Sequence, residues 1–133
     1  MTRVFVDTSA LLTLIDADDP RQLAVLAAFA ECRADELVTH GYVVAESLAV
    51  ARRRLGVDAA VLLLDDVLPP IALLPVSPEM HAEAQRACRA TLPSGTSFVD
   101  RVSLVVMERE GITAAIALDR DLARPGLTVL PSP

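Results

Sequence analysis

The chain has 133 residues, 53% of them apolar, and a formal net charge of −6; this suits one domain spanning 1–133 with a single sizeable core. No apolar run reaches the roughly 18 residues that cross a bilayer, and the apolar stretch before Asp7 is too brief for a secretory leader. The expectation is a cytoplasmic protein with no membrane segment, whose excess of apolar residues points to a protein partner.

In chain order, "RVFV" reads as a first strand and Thr8 to Ile15 as a first helix. Pro20 opens a second helix, "PRQLAVLAAFAECR", with Leu23, Leu26, Ala27 and Ala30 on its core stripe. "ELVTH" is a short strand. "YVVAESLAVARRRL" is helical on a stripe of Val44, Leu48, Ala51 and Leu55, and Gly56 ends it. "VDAAVLLLDDVL" forms another helix up to Pro69 and Pro70, and "IALLPV" a strand. "PEMHAEAQRACRATL" is a helix, "LPSGTS" a loop, and "FVDRVSLVVMEREG" a helix closed by Gly111. "TAAIAL" and "LTVL" are the last strands. Strands separated by helical segments require crossover connections, so the predicted fold is α/β: a parallel sheet covered on both faces.

Cys32 and Cys88 are far apart and lie in Ala-rich helical patterns, which makes them inert fillers. His40 and His81 form no zinc-binding spacing with them or with each other. The acidic balance argues against a polyanionic partner. Against that, all twelve basic residues are arginine, the side chain shaped for bidentate phosphate contacts, and "RRR" at 52–54 gathers three of them.

In open parallel sheets, chemistry gathers at the carboxyl ends of the strands, where Asp7 and Asp119 both fall. Asp7 either caps the helix that starts at Thr8 or forms one corner of a charged site. Ser97 and Asp100 resemble a capping box. Asp100 nevertheless points away from the stripe of Phe98, Val102, Val105 and Val106, on a helix apolar nearly all round, so it is expected to be buried. An ionised carboxylate there needs an arginine or a metal ion. Glu46 shares a face with Tyr42, Ala49 and Arg53, either a solvated face or the wall of a cleft. Asp119 and Asp121 also read as turn residues. If Asp7, Glu46, Asp100 and Asp119 meet, their mutual repulsion calls for hard divalent cations. Such a centre activates water and holds a phosphate, with Thr8, Ser9 and Ser97 as supporting hydroxyls.

"VFVDTSALL", "YVVAESLAV", "TSFVDRVSLVVM" and "IALDRDLARPGL", in this order and at this spacing, resemble the PIN-domain ribonucleases, and in particular the VapC-type toxins of toxin–antitoxin pairs. The resemblance covers almost the whole chain. It implies a three-layer α/β/α sandwich with a central parallel sheet, and an endoribonuclease that uses Mg2+ or Mn2+. Carried over by motif, the acidic quartet that holds metal and catalyses cleavage is Asp7, Glu46, Asp100 and Asp119. Thr8, Ser9, Ser97 and Asp121 support it, and Arg52 and Arg53 are the expected RNA contacts beside the site. The resemblance further implies an RNA substrate, a cognate antitoxin and a homodimer. The fourth motif departs from the family: Ala117 and Leu122 stand where a Thr and a Phe are usual. That departure keeps open a catalytically silent PIN-like module that binds RNA or protein. A haloacid-dehalogenase-type phosphatase also places an Asp after its first strand but needs a second two residues on, where this chain has Ser9.

Overall fold

Five short strands, β1 (Val4–Val6), β2 (Leu37–His40), β3 (Ala72–Leu74), β4 (Ala114–Ile116) and β5 (Thr128–Leu130), form one sheet in the order β3-β2-β1-β4-β5. The computed structural model describes residues 2–118, 122 and 124–132, with Asp35 by its backbone alone. All four pairings are parallel, with Phe5 opposite both Val38 of β2 and Ala115 of β4. Six helices connect the strands: α1 (Thr8–Leu14), α2 (Gln22–Ala30), α3 (Gly41–Arg54), α4 (Val57–Leu62), α5 (Pro78–Ala90) and α6 (Phe98–Glu110). The chain steps outward from β1 to β2 to β3 through α1–α4, then returns past β1 to β4 through α5 and α6. Because parallel crossovers are right-handed, the return connection lies on the opposite face. The result is the expected three-layer α/β/α sandwich.

The buried residues agree with two covered faces. One cluster is built on Phe5, Val6, Leu11, Val25, Val43, Leu63, Met107 and Ile116, and a second, smaller one on Ala84, Val102, Val105 and Val106 of α5 and α6. The central strands β1 and β2 are buried along their whole length, as a sheet covered on both sides requires. β3 and β5 are its edges, short and partly exposed. Strand order reverses between β1 and β4, so a crevice is expected beyond their carboxyl ends.

The structure corrects two helix faces. In α2 the core-facing residues are Val25 and Ala28, whereas Leu23 is 78% and Leu26 44% exposed, and Ala27 and Ala30 also face outward. Every residue from Leu23 to Ala30 is apolar, so periodicity does not distinguish the inner face from the outer. In α3 the buried row is Val43, Ser47 and Ala51, with Val44 and Leu48 only half-buried and Leu55 at the exposed end. A small polar residue, Ser47, occupies the inward position where an aliphatic one was expected. The helix is accordingly turned by about one residue, and Glu46 moves to the rim of the packed face.

Element boundaries shift for local reasons. α2 starts at Gln22 because Arg21 is its N-terminal cap, with Pro20 in the preceding turn. The helix expected to run to Leu68 ends as α4 at Leu62 and continues through a wide π turn, Leu63–Val67, which Leu68 N closes on the Leu63 carbonyl. Of "IALLPV" only Ala72–Leu74 pairs, and the "LPSGTS" loop holds a single 3-10 turn, Leu92–Ser94. Among the described residues no helix is long and apolar enough to cross a membrane. Both cysteines are free and half-buried; burial raises the Cys32 thiol pKa, and the Glu36 and Glu31 carboxylates add to the rise. Such a thiol is unreactive at neutral pH.

Candidate functional site

Asp7 follows β1 and caps α1. Its Oδ2 accepts from the Ser9 backbone N–H at 3.2 Å and from Ser9 Oγ at 2.6 Å. The capping geometry follows from an extended residue before a helix, and it turns the carboxylate back over the first turn. Ser9 Oγ also accepts from Leu118 N at 2.9 Å, and Asp7 N donates to the Ile116 carbonyl at 3.0 Å. The start of α1 and the end of β4 are thus tied together through one hydroxyl, at the point where strand order reverses. Asp7 is only 2% exposed, so its orientation is set by these bonds rather than by solvent.

Asp100 lies in the first turn of α6, where Ser97 Oγ accepts from its backbone N–H at 3.1 Å. The side chain is buried, as the helix's all-round apolar character predicted. Glu46, half-buried, projects from the middle of α3. These three acids, from three separate elements, line one open cleft of about 310 Å3. Thr8, Ser9 and Ser97 line it too, with Leu12, Val50, Arg54 and Gly95. Six of the eight acidic and supporting positions named from sequence line this cleft: Asp7, Thr8, Ser9, Glu46, Ser97 and Asp100. Asp119 and Asp121 lie outside the described residues. Arg52 and Arg53 are exposed on the last turn of α3 but do not line the cleft; Arg54 does.

The donor set fits a hard divalent cation. It is all oxygen, with three carboxylates in one cleft. The Thr8 hydroxyl oxygen is buried with no hydrogen-bond partner among the described residues, a group that a bound water or substrate atom would satisfy. Among the described residues no three acids, histidines or cysteines approach closely enough to enclose one ion by themselves. That is compatible with magnesium or manganese held by one or two carboxylates directly and by others through water, since magnesium keeps several of its waters.

Beneath the cleft lies a polar pair that sequence reasoning assigned no role. His40, fully buried at the end of β2, accepts at Nδ1 from Tyr42 N (3.2 Å) and Val43 N (3.4 Å), and so caps α3. Its Nε2 is 2.9 Å from Ser103 Oγ, which donates to the Val99 carbonyl at 3.0 Å. With Nδ1 accepting and the Ser103 proton committed, the Nε2–H tautomer donates to Ser103. Burial lowers the His40 pKa to about 4, so the ring is neutral at pH 7. This contact joins β2 and α3 to α6, one turn beyond Asp100. The signal available in sequence was a histidine at a strand end directly before a helix, read there only for metal spacing. Tyr42 Oη meets His81 Nδ1 at 2.6 Å, and both rings pack on Phe98.

Comparison with known proteins completes the picture. A family model described as PIN domain matches residues 4–126. Among solved structures the chain is similar to VapC20 of Mycobacterium tuberculosis, described as a sarcin–ricin loop cleaving toxin. The two are 28% identical, with a TM-score of 0.80 over 90% of this chain and 92% of that one. It also resembles PAE2754 from Pyrobaculum aerophilum at 22% identity and a TM-score of 0.64, over 97% of this chain and 90% of that one; this likeness bears on the fold alone. No curated protein matches.

Proposed function

From the premise that this chain belongs to the PIN-domain family, we propose that it is a metal-dependent endoribonuclease and the toxin of a toxin–antitoxin pair. The observation that carries this reading is the convergence of Asp7, Glu46 and Asp100, from the β1–α1 junction, α3 and α6, on one open cleft at the reversal of strand order. The likeness to VapC20, described as a sarcin–ricin loop cleaving toxin, supports the choice of RNA as substrate.

Asp7, Asp100 and Glu46 would hold Mg2+ or Mn2+, with Asp119 as the proposed fourth acid. When bound, the ion supplies Lewis-acid activation of water and of the scissile phosphate. The chain's own residues do the positioning. Ser9 fixes the Asp7 carboxylate through its 2.6 Å hydrogen bond, and Ser97 holds the first turn of α6 and with it Asp100. The Thr8 hydroxyl is placed to orient a water or a phosphate oxygen in the cleft. Openness of the cleft suits a polymer that enters and leaves sideways, unlike the enclosed pockets that small ligands prefer.

Exposed apolar surface supports the proposed protein partners, a second copy of the chain and an antitoxin. Part of it is the outer face of α2, with Leu23 and Leu26; further exposed apolar side chains are Val57 and Val61 on α4, Leu64 in the π turn and Leu73 on the edge strand β3. A cytoplasmic location follows from an RNA substrate. The alternative, a catalytically silent PIN-like module binding RNA or protein, is favoured by Ala117, buried where a hydroxyl is usual in the family. The deciding experiment is cleavage of labelled RNA by partner-free protein with Mn2+, Mg2+ or EDTA, with Asp100→Asn alongside. Cleavage that needs metal and is lost in the variant supports the nuclease; RNA binding without cleavage at saturating metal overturns it in favour of the silent module.

A further inference from the structure

The acidic cleft does not end at the acids. A second cavity of about 270 Å3 is lined by Ser9, Leu12, Thr13, Asp16, Asp19, Arg21, Val50, Arg54 and Leu55. It shares Ser9, Leu12, Val50 and Arg54 with the first, so the two are lobes of one groove between α1 and α3, meeting at Arg54.

The lobes differ in charge. The first gathers Asp7, Glu46 and Asp100 against Arg54 alone, and repels a phosphate unless cations are bound. In the second, Asp16 and Asp19 are balanced by Arg21 and Arg54. These two arginines are not equivalent. Arg21 spends its fork on Asp19, with Nε on Oδ1 at 3.0 Å and Nη2 on Oδ2 at 2.9 Å. That pairing holds the Asp19 pKa down to about 2. Arg54 makes no hydrogen bond or ion pair among the described residues and is exposed. It is therefore the groove's uncommitted guanidinium, shaped for bidentate contact with a phosphate. Beside it Leu12, Val50 and Leu55 supply an apolar wall against which an extruded base can pack.

Spacing along α3 says which phosphate is meant. Glu46, Val50 and Arg54 form one i, i+4, i+8 row, and eight residues rise about 12 Å. Arg54 borders both lobes, and the phosphate assigned to it is the one beside the apolar wall of Leu12, Val50 and Leu55, farther along α3 than a phosphate held at the acids.

We infer that the second lobe is a binding subsite for the nucleotide flanking the cleaved step, with Arg54 holding its phosphate and Leu12, Val50 and Leu55 receiving its base. The inference rests on the nuclease reading and adds to it a direction for the strand, along α3 from Glu46 toward Arg54. It also moves the RNA contact from Arg52 and Arg53 to their neighbour.

The test compares Arg54→Ala, Arg54→Lys and the double variant Arg52→Ala/Arg53→Ala with the parent. Cleavage of a dinucleotide and of a longer single-stranded RNA is followed with Mn2+, and binding of the longer RNA, fluorescein-labelled, by anisotropy with Ca2+ across a salt series. For the longer RNA, Arg54→Ala should raise KM roughly tenfold with kcat kept, as loss of one charge-assisted contact implies, and lower the salt slope by about 0.7. Arg54→Lys should keep the slope, and the loss in Arg54→Ala should be clearly greater on the longer RNA than on the dinucleotide. An unchanged KM and slope in Arg54→Ala, equal losses on the dinucleotide, or a slope carried by Arg52 and Arg53 would overturn the subsite while leaving the nuclease standing. A parent that neither binds nor cuts RNA would overturn the nuclease reading itself, and the subsite with it.

Discussion

At the scale of single residues, the site depends on a few short side chains with several obligations each. Ser9 is the plainest case, since its hydroxyl donates to Asp7 and accepts from Leu118 N. Ser9→Ala should cost about 2 kcal/mol in urea unfolding, because a hydrogen bond to a charged, buried group is lost. RNA cleavage should fall roughly 10–100-fold, the usual effect of removing a ligand's supporting partner. Asp7→Asn should abolish cleavage yet leave the melting transition nearly unchanged, because Asn caps a helix about as well as Asp. His40 makes a prediction about pH. Its folded pKa of about 4 lies below the ordinary 6.5, so as pH falls the unfolded chain takes up the proton first. The contribution is complete above pH 6.5, is lost between there and about pH 4, and amounts to about 3 kcal/mol. Urea unfolding at stepped pH, with His40→Asn as reference, isolates this loss from that of the carboxylates; an identical pH profile in the two proteins would count against it.

At the scale of elements, each acid is delivered by a helix terminus or a helix face. α6 is the instructive one, because Ser97 caps it and Asp100 sits in its first turn. Ser97→Ala should cost about 1 kcal/mol and, by fraying that turn, weaken manganese binding in calorimetric titration. Ser77 caps α5 in the same way, through Met80 N at 3.1 Å, but does not line the cleft. Ser77→Ala should therefore cost a similar amount of stability and leave manganese affinity as it was. Equal affinity losses in the two variants would mean that general loosening, and not the placement of Asp100, is responsible. The rotation of α3 belongs to this scale too. Ser47 on the inner row puts Glu46 at the packed rim and sends the Val50–Arg54 ridge into the groove.

At the scale of the whole molecule, the cleft joins the start of α1 with α3 and α6, which are far apart in the chain. An ion bound there links them in the folded state only, so it stabilises the protein by mass action. At a free manganese concentration 100 times its Kd the gain should be about 2.7 kcal/mol, seen as a raised Tm. In Asp100→Asn that rise should disappear; a rise of equal size in the variant would place the ion elsewhere. The apolar outer face of α2 is set at this scale as well. With Leu23 78% exposed, what covers it is another protein chain or solvent, and sedimentation of the purified protein at rising concentration distinguishes these.

The sequence by itself determined the α/β class, the alternation of strands and helices, the capping of α1 by Asp7 and of α6 by Ser97, and the burial of Asp100. Each of these follows from periodicity or from chemistry within a few neighbouring residues. It also named six of the residues that line the cleft, because their motifs resemble a known family. Only the tertiary structure decided which face of α2 is inward, since a helix apolar all round carries no directional signal. The same holds for the turn of α3, which answers to packing against α1, α4 and α6 rather than to its own pattern. Local rules do not reach across chain distance, and so the His40–Ser103 bond, the Ser9–Leu118 tie and the place of Arg54, rather than Arg52 or Arg53, in the cleft wall were invisible before the fold brought those residues together.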